Sequence, residues 1–314
     1  MLKRFFPVSW LLTALLLLAG CDSAKERYVR MEGFAQGGTW HIICSLPGKA
    51  RPKAVSQEID RLLLEIDGSL SGYNKGSLLS RFNAGEDLPL DEHFVTNFRL
   101  SEQYWRESNG AFDPSAAPLF DLWGFGFTEG GTVPTQAQID SVRAFIGMDL
   151  FFLEERPDGT FHLHKADPRA RLNFNAIAQG YTCDRIGQYL ETVGSSNYLV
   201  EVGREILCKG LSARGDRWMI GVEQAENPDA GIRDTLRLRD CAVVTSGDYR
   251  KFYVRDGKRY AHTIDPRTGA PVTHGLLSAT VTIPFESDTG RVQWACARAD
   301  ACATWSMVEG RVVR

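Results

Sequence analysis

The sequence carries no block of one charge. Its 36 Lys and Arg are balanced by 39 Asp and Glu, a formal net charge of −3 over 314 residues, and the absence of a long basic run argues against a general polyanion binder. No Gly-x-Gly-x-x-Gly follows a strand-like segment, so a Rossmann dinucleotide site is unsupported. Of the seven Cys, none stands in Cys-x-x-Cys or finger-like spacing, which makes zinc a poor fit. Internal repeats, low-complexity tracts and a clear interdomain linker are also missing. What is there is a chain with 43% hydrophobic residues, enough to bury a core in one large unit or two domain-sized ones.

The N-terminus differs from the rest. Lys3 and Arg4 form a positive region, Val8 to Leu18 an apolar run too short to span a bilayer comfortably, and Leu18-Ala19-Gly20 a small-residue processing site. Cys21 follows at once, and LAGC resembles the bacterial lipobox. That resemblance implies cleavage before Cys21 and a lipid, diacylglycerol with palmitate, on its thiol. Asp22 resembles the signal that keeps lipoproteins at the inner membrane, so the expected address is an inner-membrane lipoprotein facing the periplasm. The expected organisation is a signal peptide (1–20), a lipidated tether (21–36) and one catalytic-sized domain (37–314). The other six Cys, at 44, 183, 208, 241, 296 and 302, read as small buried hydrophobes or as an unreadable set of disulfide partners.

The stretch RLNFNAIAQGYTCDRIGQYL, Arg171 to Leu190, organises the chain. A strand-like run turns at Asn173 and Asn175 and enters a helix whose apolar positions Ile177, Tyr181, Ile186 and Leu190 recur at helical spacing. With Asn175 as N-cap, the positive end of the helix would face what lies ahead of Ala176, an arrangement suited to phosphate. Gly180 weakens a helix interior by about 1 kcal/mol relative to Ala, which calls for a close approach of ligand or backbone. The same corner also reads as a plain helix packed on a strand.

Further helices are expected over Ala54–Asp67, Glu92–Ser108, Thr135–Phe145 and Ala295–Glu309. A hairpin is expected at Phe151–His164, turning at Pro157-Asp158-Gly159. AFDPSAAPLFDLWGFG has neither period and reads as a packed loop. From Asn197 onward strands dominate, with Asp256-Gly257 a strong hairpin turn. Irregular mixing of helices and strands points to an α+β fold with a strand-rich C-terminal half.

Four pieces carry chemistry. Asp300 and Thr304 lie four apart and share a helix face, offering hard oxygens of the kind Mg²⁺ prefers. Thr245-Ser246-Gly247 ends a strand with small groups that let backbone approach a ligand. His262 precedes a Pro-Gly turn, and Asp113 sits before Pro114 in the packed loop. Singly, each reads equally well as a polar face, a turn, a structural His or loop scaffolding.

Together they resemble a family. LSGYNKGSLLSRFN, GAFDPSAAPLFDLWGFG, NAIAQGYTCD, TSGDYRKFY, HTIDPRTG and ADACAT, in this order on a lipobox protein, resemble the ApbE family of FAD:protein FMN transferases from about Gly38 to Gly310. The resemblance implies a helix-flanked FAD cleft and Mg²⁺-dependent cleavage of FAD, FMN passing to a Thr or Ser hydroxyl of a target protein and AMP leaving. It places Tyr73, Ala111, Phe112, Asp113, Asn173, Gln179, Ser246, Gly247, His262 and Ile264 around FAD. Mg²⁺ falls to the carbonyl of Ala176 and the side chains of Asp300 and Thr304. His262 or Asp265 would serve as general base. The implied acceptor carries a D-x-x-[ST]-G-A-[ST]-like motif with the second hydroxyl residue modified. Hydrolysis of FAD to FMN and AMP, or flavin binding without turnover, would use the same site.

Three departures from the family pattern stand out. Gly37 occupies the place of Met in a Met-Gly-Thr motif, and Arg204 replaces the second Gly of a Gly-Gly pair. Pro284 to Trp294 reads as an insertion, and the C-terminal end reads as shortened.

Overall fold

A computed structural model of the chain describes residues 27–126, 133–227, 230–249, 252–255, 257–285 and 293–313. The signal segment and Cys21 lie outside them, as does most of the expected insertion. Its frame is a six-stranded antiparallel sheet in the order β1 (Arg27–Ala35), β2 (Gly38–Leu46), β5 (Tyr198–Val202), β6 (Glu205–Lys209), β9 (Cys241–Gly247) and β14 (Ser278–Pro284).

The first strand corrects the expected tether. Residues 27–35 pair along their whole length with β2, from Arg27 opposite Leu46 to Ala35 opposite Gly38, and bury Met31. The linking residues Gln36 and Gly37 have φ of 52° and 77°, the pair of positive angles that a two-residue hairpin turn demands. Gly37, one of the departures, therefore suits its own turn.

The described α-helices are α1 (Pro52–Leu70), α2 (Leu78–Asn83), α3 (Glu92–Glu107), α4 (Ala117–Leu122), α5 (Gln136–Arg143), α6 (Ala178–Thr192) and α7 (Ala295–Glu309). Sequence periodicity anticipated five of them to within about three residues at either end. The short α2 and α4 were not anticipated, α4 lying within the segment read as a packed aromatic loop. Local chemistry sets the boundaries. Asp91 caps α3 by accepting from the Phe94 amide at 2.8 Å, and Thr135 with Gln138 forms a capping box on α5.

One sheet face packs against α1, α6 and α7. Ile42, Cys44, Tyr198, Val200, Val202, Leu207 and Ala242 meet Val55, Ile59, Cys183, Ile186, Leu190 and Ala299 there. Each such aliphatic side chain, fully buried, contributes roughly 1.5–3 kcal/mol of transfer free energy. On the other face a hairpin of β7 (Trp218–Glu223) and β8 (Ile232–Leu238) covers Cys208, Cys241 and Val243 with Trp218 and Ile220. A second core lies between α2, α3, the hairpin β3 (Phe151–Glu155) with β4 (Phe161–Lys165), and the inner ends of α6 and α7.

A third, smaller core joins α4 and α5 to Trp123, Phe125 and Ile264. It is flanked by the hairpin β10 (Phe252–Arg255) with β11 (Lys258–Ala261), where Arg255 stands opposite Lys258; Asp256 of the expected turn lies outside the described residues. The pair β12 (Ile264–Asp265) with β13 (Ala270–Pro271) completes it. The architecture is α+β, with strands concentrated in the C-terminal half. Among the described residues no helix is long and apolar enough to cross a membrane.

Candidate active site

The helices α6 and α7 cross so closely at Gly180 that no side chain fits there. A Cβ on Gly180 would lie 2.5 Å from the Cys296 carbonyl oxygen and 2.9 Å from Ala297 Cα. The close approach anticipated at this glycine is thus one of backbone on backbone. Asp184, one turn further on, is wholly buried and accepts from the amides of Cys296 at 3.0 Å and Ala297 at 2.9 Å, so a residue of α6 caps the start of α7. Burial pushes the Asp184 carboxyl up to about 7, against the pull of those amide bonds.

This crossing carries Asp300 to the start of α6. Its Oδ2 accepts from the Gly180 amide at 3.3 Å. In a helix continued backwards that amide would serve the Ala176 carbonyl instead, and Ala176 here lines the same cavity as Asp300. The helix start corrects the expected one: α6 begins at Ala178 with Ile177 as N-cap. The reason lies at Asn173, whose Oδ1 accepts from the Asn175 amide at 2.8 Å and closes a local turn before the helix can begin. Asn173 is itself pinned by its own amide to the Pro114 carbonyl at 2.8 Å.

Asp300, Thr304 and Ala176 open into a cavity of about 340 Å³. Its walls include Tyr73, Ala111, Phe112, Asp113, Asn173, Ser246, Gly247, His262 and Ile264, which come from five separate stretches of chain. The structure thus gathers nearly all of the expected site residues around one space. Phe120 and Phe125 add aromatic walls, and Met307 with Val308 closes the end of α7. Asp113 lies at the foot of the loop, with Oδ1 accepting from the Ser115 amide at 2.8 Å and its hydroxyl at 2.5 Å. Burial pushes its carboxyl up to about 6 despite these bonds.

Glu205 was not anticipated. It opens β6, lines the cavity beside Asp300, and its Oε2 is buried with no hydrogen-bond partner. Burial raises its carboxyl well above the usual range and the charge of Asp300 adds to the shift, while burial pushes Asp300 up to about 7. Two neighbouring buried carboxylates, one of them with an oxygen that has no hydrogen-bond partner, are poorly neutralised by the chain itself, and a cation would relieve them. Among the described residues no group of three or more His, Cys, Asp or Glu side chains is arranged to hold a metal ion by itself. The donor set of two carboxylates, a hydroxyl and a carbonyl fits an oxygen-seeking ion that completes its shell with water and ligand phosphate, as Mg²⁺ does.

His262 is the second chemical centre. Its Nδ1 lies 3.4 Å from Oδ1 of Asp248, a carboxylate that is nearly inaccessible and also accepts from the Thr263 hydroxyl. Asp248 was visible in the sequence only as part of the Thr245–Tyr249 turn. Its role emerges because β9 and the segment after β11 converge on the cavity.

Two expectations are corrected. Asp265 does not line the cavity: Arg267 grips both its oxygens, Nε to Oδ1 at 2.9 Å and Nη2 to Oδ2 at 3.0 Å. A carboxylate so engaged is a structural anchor. Gln179 does not line this cavity either. Its side chain fills the space beside Gly203, where a Cβ would lie 2.2 Å from Nε2, and it borders a second cavity of about 730 Å³ with Gln36, Gly37 and Asp67. Tyr73 and Asn175 line both cavities. Arg204 neither blocks the site nor faces it, for its Nη1 reaches Glu223 Oε2 at 3.2 Å on the far side of the strand end.

Comparison with known proteins agrees with this geometry. The profile of the ApbE family matches residues 37–312. An FAD:protein FMN transferase of Vibrio cholerae is 35% identical over 309 residues, covering 96% of this chain and 88% of that protein. One from Escherichia coli K12 is 31% identical, covering 87% and 81%. Among solved structures, the flavin transferase ApbE of Vibrio cholerae superposes with a TM-score of 0.77 at 34% identity, covering 90% of this chain and 87% of that one. The ApbE protein of Thermotoga maritima gives 0.76 at 27% identity, with the same coverage. The chain belongs to the ApbE family.

Proposed function

We propose that this protein cleaves FAD at its diphosphate and transfers FMN to a Thr or Ser hydroxyl of another protein, with AMP leaving and Mg²⁺ required. The observation that carries the reading is the meeting of Asp300, Glu205, Thr304 and Ala176 at the start of α6, in a cavity walled by aromatics. The names of the similar proteins support it. Mg²⁺ would be held by Asp300, Thr304 and the Ala176 carbonyl, with Glu205 beside them. Bound there, the ion supplies charge neutralisation of a diphosphate and of the transition state that leaves it.

The chain's own groups do the rest. Phe112, Phe120 and Phe125 offer apolar faces for a planar ring system, and Asn173 with Asp113 offers polar edges beside them. Ser246 and Gly247 let backbone approach the diphosphate without side-chain bulk. His262 removes the acceptor's hydroxyl proton, and Asp248 orients the ring and stabilises the imidazolium that results. The acceptor is a protein segment of the D-x-x-[ST]-G-A-[ST] type. The address is the inner membrane facing the periplasm, through a lipid on Cys21.

Incubating the chain with FAD, Mg²⁺ and such an acceptor tests the reading. One AMP should appear per flavin fixed, and the acceptor should fluoresce after denaturing electrophoresis. A Thr→Val change at the modified position should abolish the signal. AMP release unchanged by omitting the acceptor would replace the transferase with an FAD diphosphatase, and FAD binding without AMP would replace it with a flavin carrier. Cys21→Ala should abolish palmitate labelling, and persistent labelling would remove the lipoprotein assignment.

A further inference from the structure

We propose that Cys208 and Cys241 form a cross-strand disulfide when the chain folds in the presence of a low-molecular-weight or protein disulfide. The two residues are direct partners in the β6–β9 ladder. Opposed residues in an antiparallel pair hold their Cα atoms about 4.5–5.5 Å apart, inside the range that disulfides span. Their sulfurs lie 3.8 Å apart and each is the other's hydrogen-bond partner. Side-chain rotation alone therefore brings them to bonding distance.

The remaining cysteines are placed differently. Cys183 and Cys296 touch each other across the helix crossing, but each thiol is directed at a β6 backbone carbonyl, of Glu205 at 3.2 Å and of Ile206 at 3.6 Å. Both are fully enclosed between α6, α7 and the sheet. Cys44 is buried on β2 and Cys302 half-buried on α7. Cys241, by contrast, is the first residue of β9, at the end of the ladder, and is 6% exposed where Cys183 and Cys296 are wholly enclosed.

The step balances as thiol–disulfide exchange. The thiolate of Cys241, favoured by the hydrogen bond from Cys208, attacks one sulfur of glutathione disulfide and releases one glutathione thiolate. The Cys208 thiolate then displaces the second glutathione from the mixed disulfide. Two protein thiols are oxidised, one glutathione disulfide is reduced, and the two protons end on the two glutathione thiols.

The bond would close the segment carrying the β7–β8 hairpin and clamp that hairpin on the sheet. It lies at the opposite end of the strand pair from Glu205 and Ser246–Gly247, so it would stabilise the frame without entering the cavity. The proposal is independent of the reaction assigned above.

The test is to refold the full chain in detergent with a mixture of oxidised and reduced glutathione, alkylate in denaturant and digest without reductant. A peptide joining Cys208 to Cys241, about 2 Da lighter than the two thiol peptides together, is expected. It should vanish in Cys208→Ala and in Cys241→Ala. Reductant should lower the Tm of the oxidised chain by several degrees and leave that of the double Ala variant unmoved. Quantitative alkylation of both residues, or a Cys183–Cys296 link in their place, would overturn the proposal. Chain taken directly from membranes and acid-quenched reads the same peptide where refolding fails.

Discussion

The amide of Gly180, in the first turn of α6, donates to the carboxylate of Asp300 in the middle of α7 at 3.3 Å. The positive end of α6 therefore meets an anion of the chain itself before it meets any ligand. This contact and the Asp184 cap tie the two helices together at the point where the cavity opens. Helix placement and site assembly are one event, since the groups that dock α7 also aim Asp300.

Gly180→Ala separates two effects of opposite sign. Ala is better in a helix by about 1 kcal/mol. Its Cβ, however, would meet the Cys296 carbonyl at 2.5 Å, and backbone cannot rotate aside as a side chain can. The clash should win, with a net loss of about 1–3 kcal/mol by denaturant titration. Turnover should fall as well, because α7 must move and take Asp300 with it. Unchanged stability would mean that the helices have more room than this crossing allows.

Removing either carboxylate should have a different signature. Asp300→Asn keeps shape and loses charge, and transfer should drop at least tenfold, or about 1.4 kcal/mol. Glu205→Gln should weaken Mg²⁺ dependence likewise, yet stabilise the metal-free protein, because a buried carboxylate beside another is costly. Thermal melts with and without Mg²⁺ check this: the ion should raise the Tm of wild type by more than that of Glu205→Gln. Equal shifts would place the cation elsewhere.

Much of this site was legible because its residues sit on periodic or motif-bearing stretches. Helical spacing set the limits of α7, and the i, i+4 rule put Asp300 and Thr304 on one face. Glu205 escaped because a carboxylate at the start of a strand has no local signal. Its meaning comes from Asp300, brought to it by the α6–α7 crossing. Asp248 was read as part of a turn for the same reason, its partner His262 lying beyond the β10–β11 hairpin. Asp265 misled in the opposite direction: its place beside His262 in the chain suggested chemistry, whereas Arg267 two residues on claims both oxygens. At β1 the alternation of Val29 and Met31 with Arg30 and Glu32 was present, but a polar segment next to a lipobox reads as a tether.

The general base can be decided between the two residues that the sequence left open. His262→Gln should lower kcat by roughly 10²–10⁴-fold while leaving FAD binding largely intact. Asp265→Asn should leave kcat within a few-fold and act on stability, since it weakens a bidentate ion pair and a turn. Asp248→Asn should lower kcat less than His262→Gln and shift the pH profile, as expected for a group that orients the base. Equal kcat in wild type and His262→Gln would remove His262 from proton transfer.

The pH dependence of the ligand-free fold should carry the imprint of Asp113. Burial raises its folded pKa from an ordinary 3.8 to about 6. A carboxyl raised on folding binds more protons in the native state than in the unfolded one, so stability falls as pH rises between those two values. The contribution is fully present below pH 3.8 and lost by the time pH passes 6, amounting to at most about 3 kcal/mol. Asp113→Asn keeps an oxygen to accept from Ser115 but cannot ionise. The stability of wild type relative to this variant should therefore decline from pH 4 to pH 7, at up to about 1.4 kcal/mol per pH unit. Denaturant titrations of both proteins across that interval measure it directly. A difference that stays flat would show that water reaches Asp113 in the folded protein and that burial does not govern its charge.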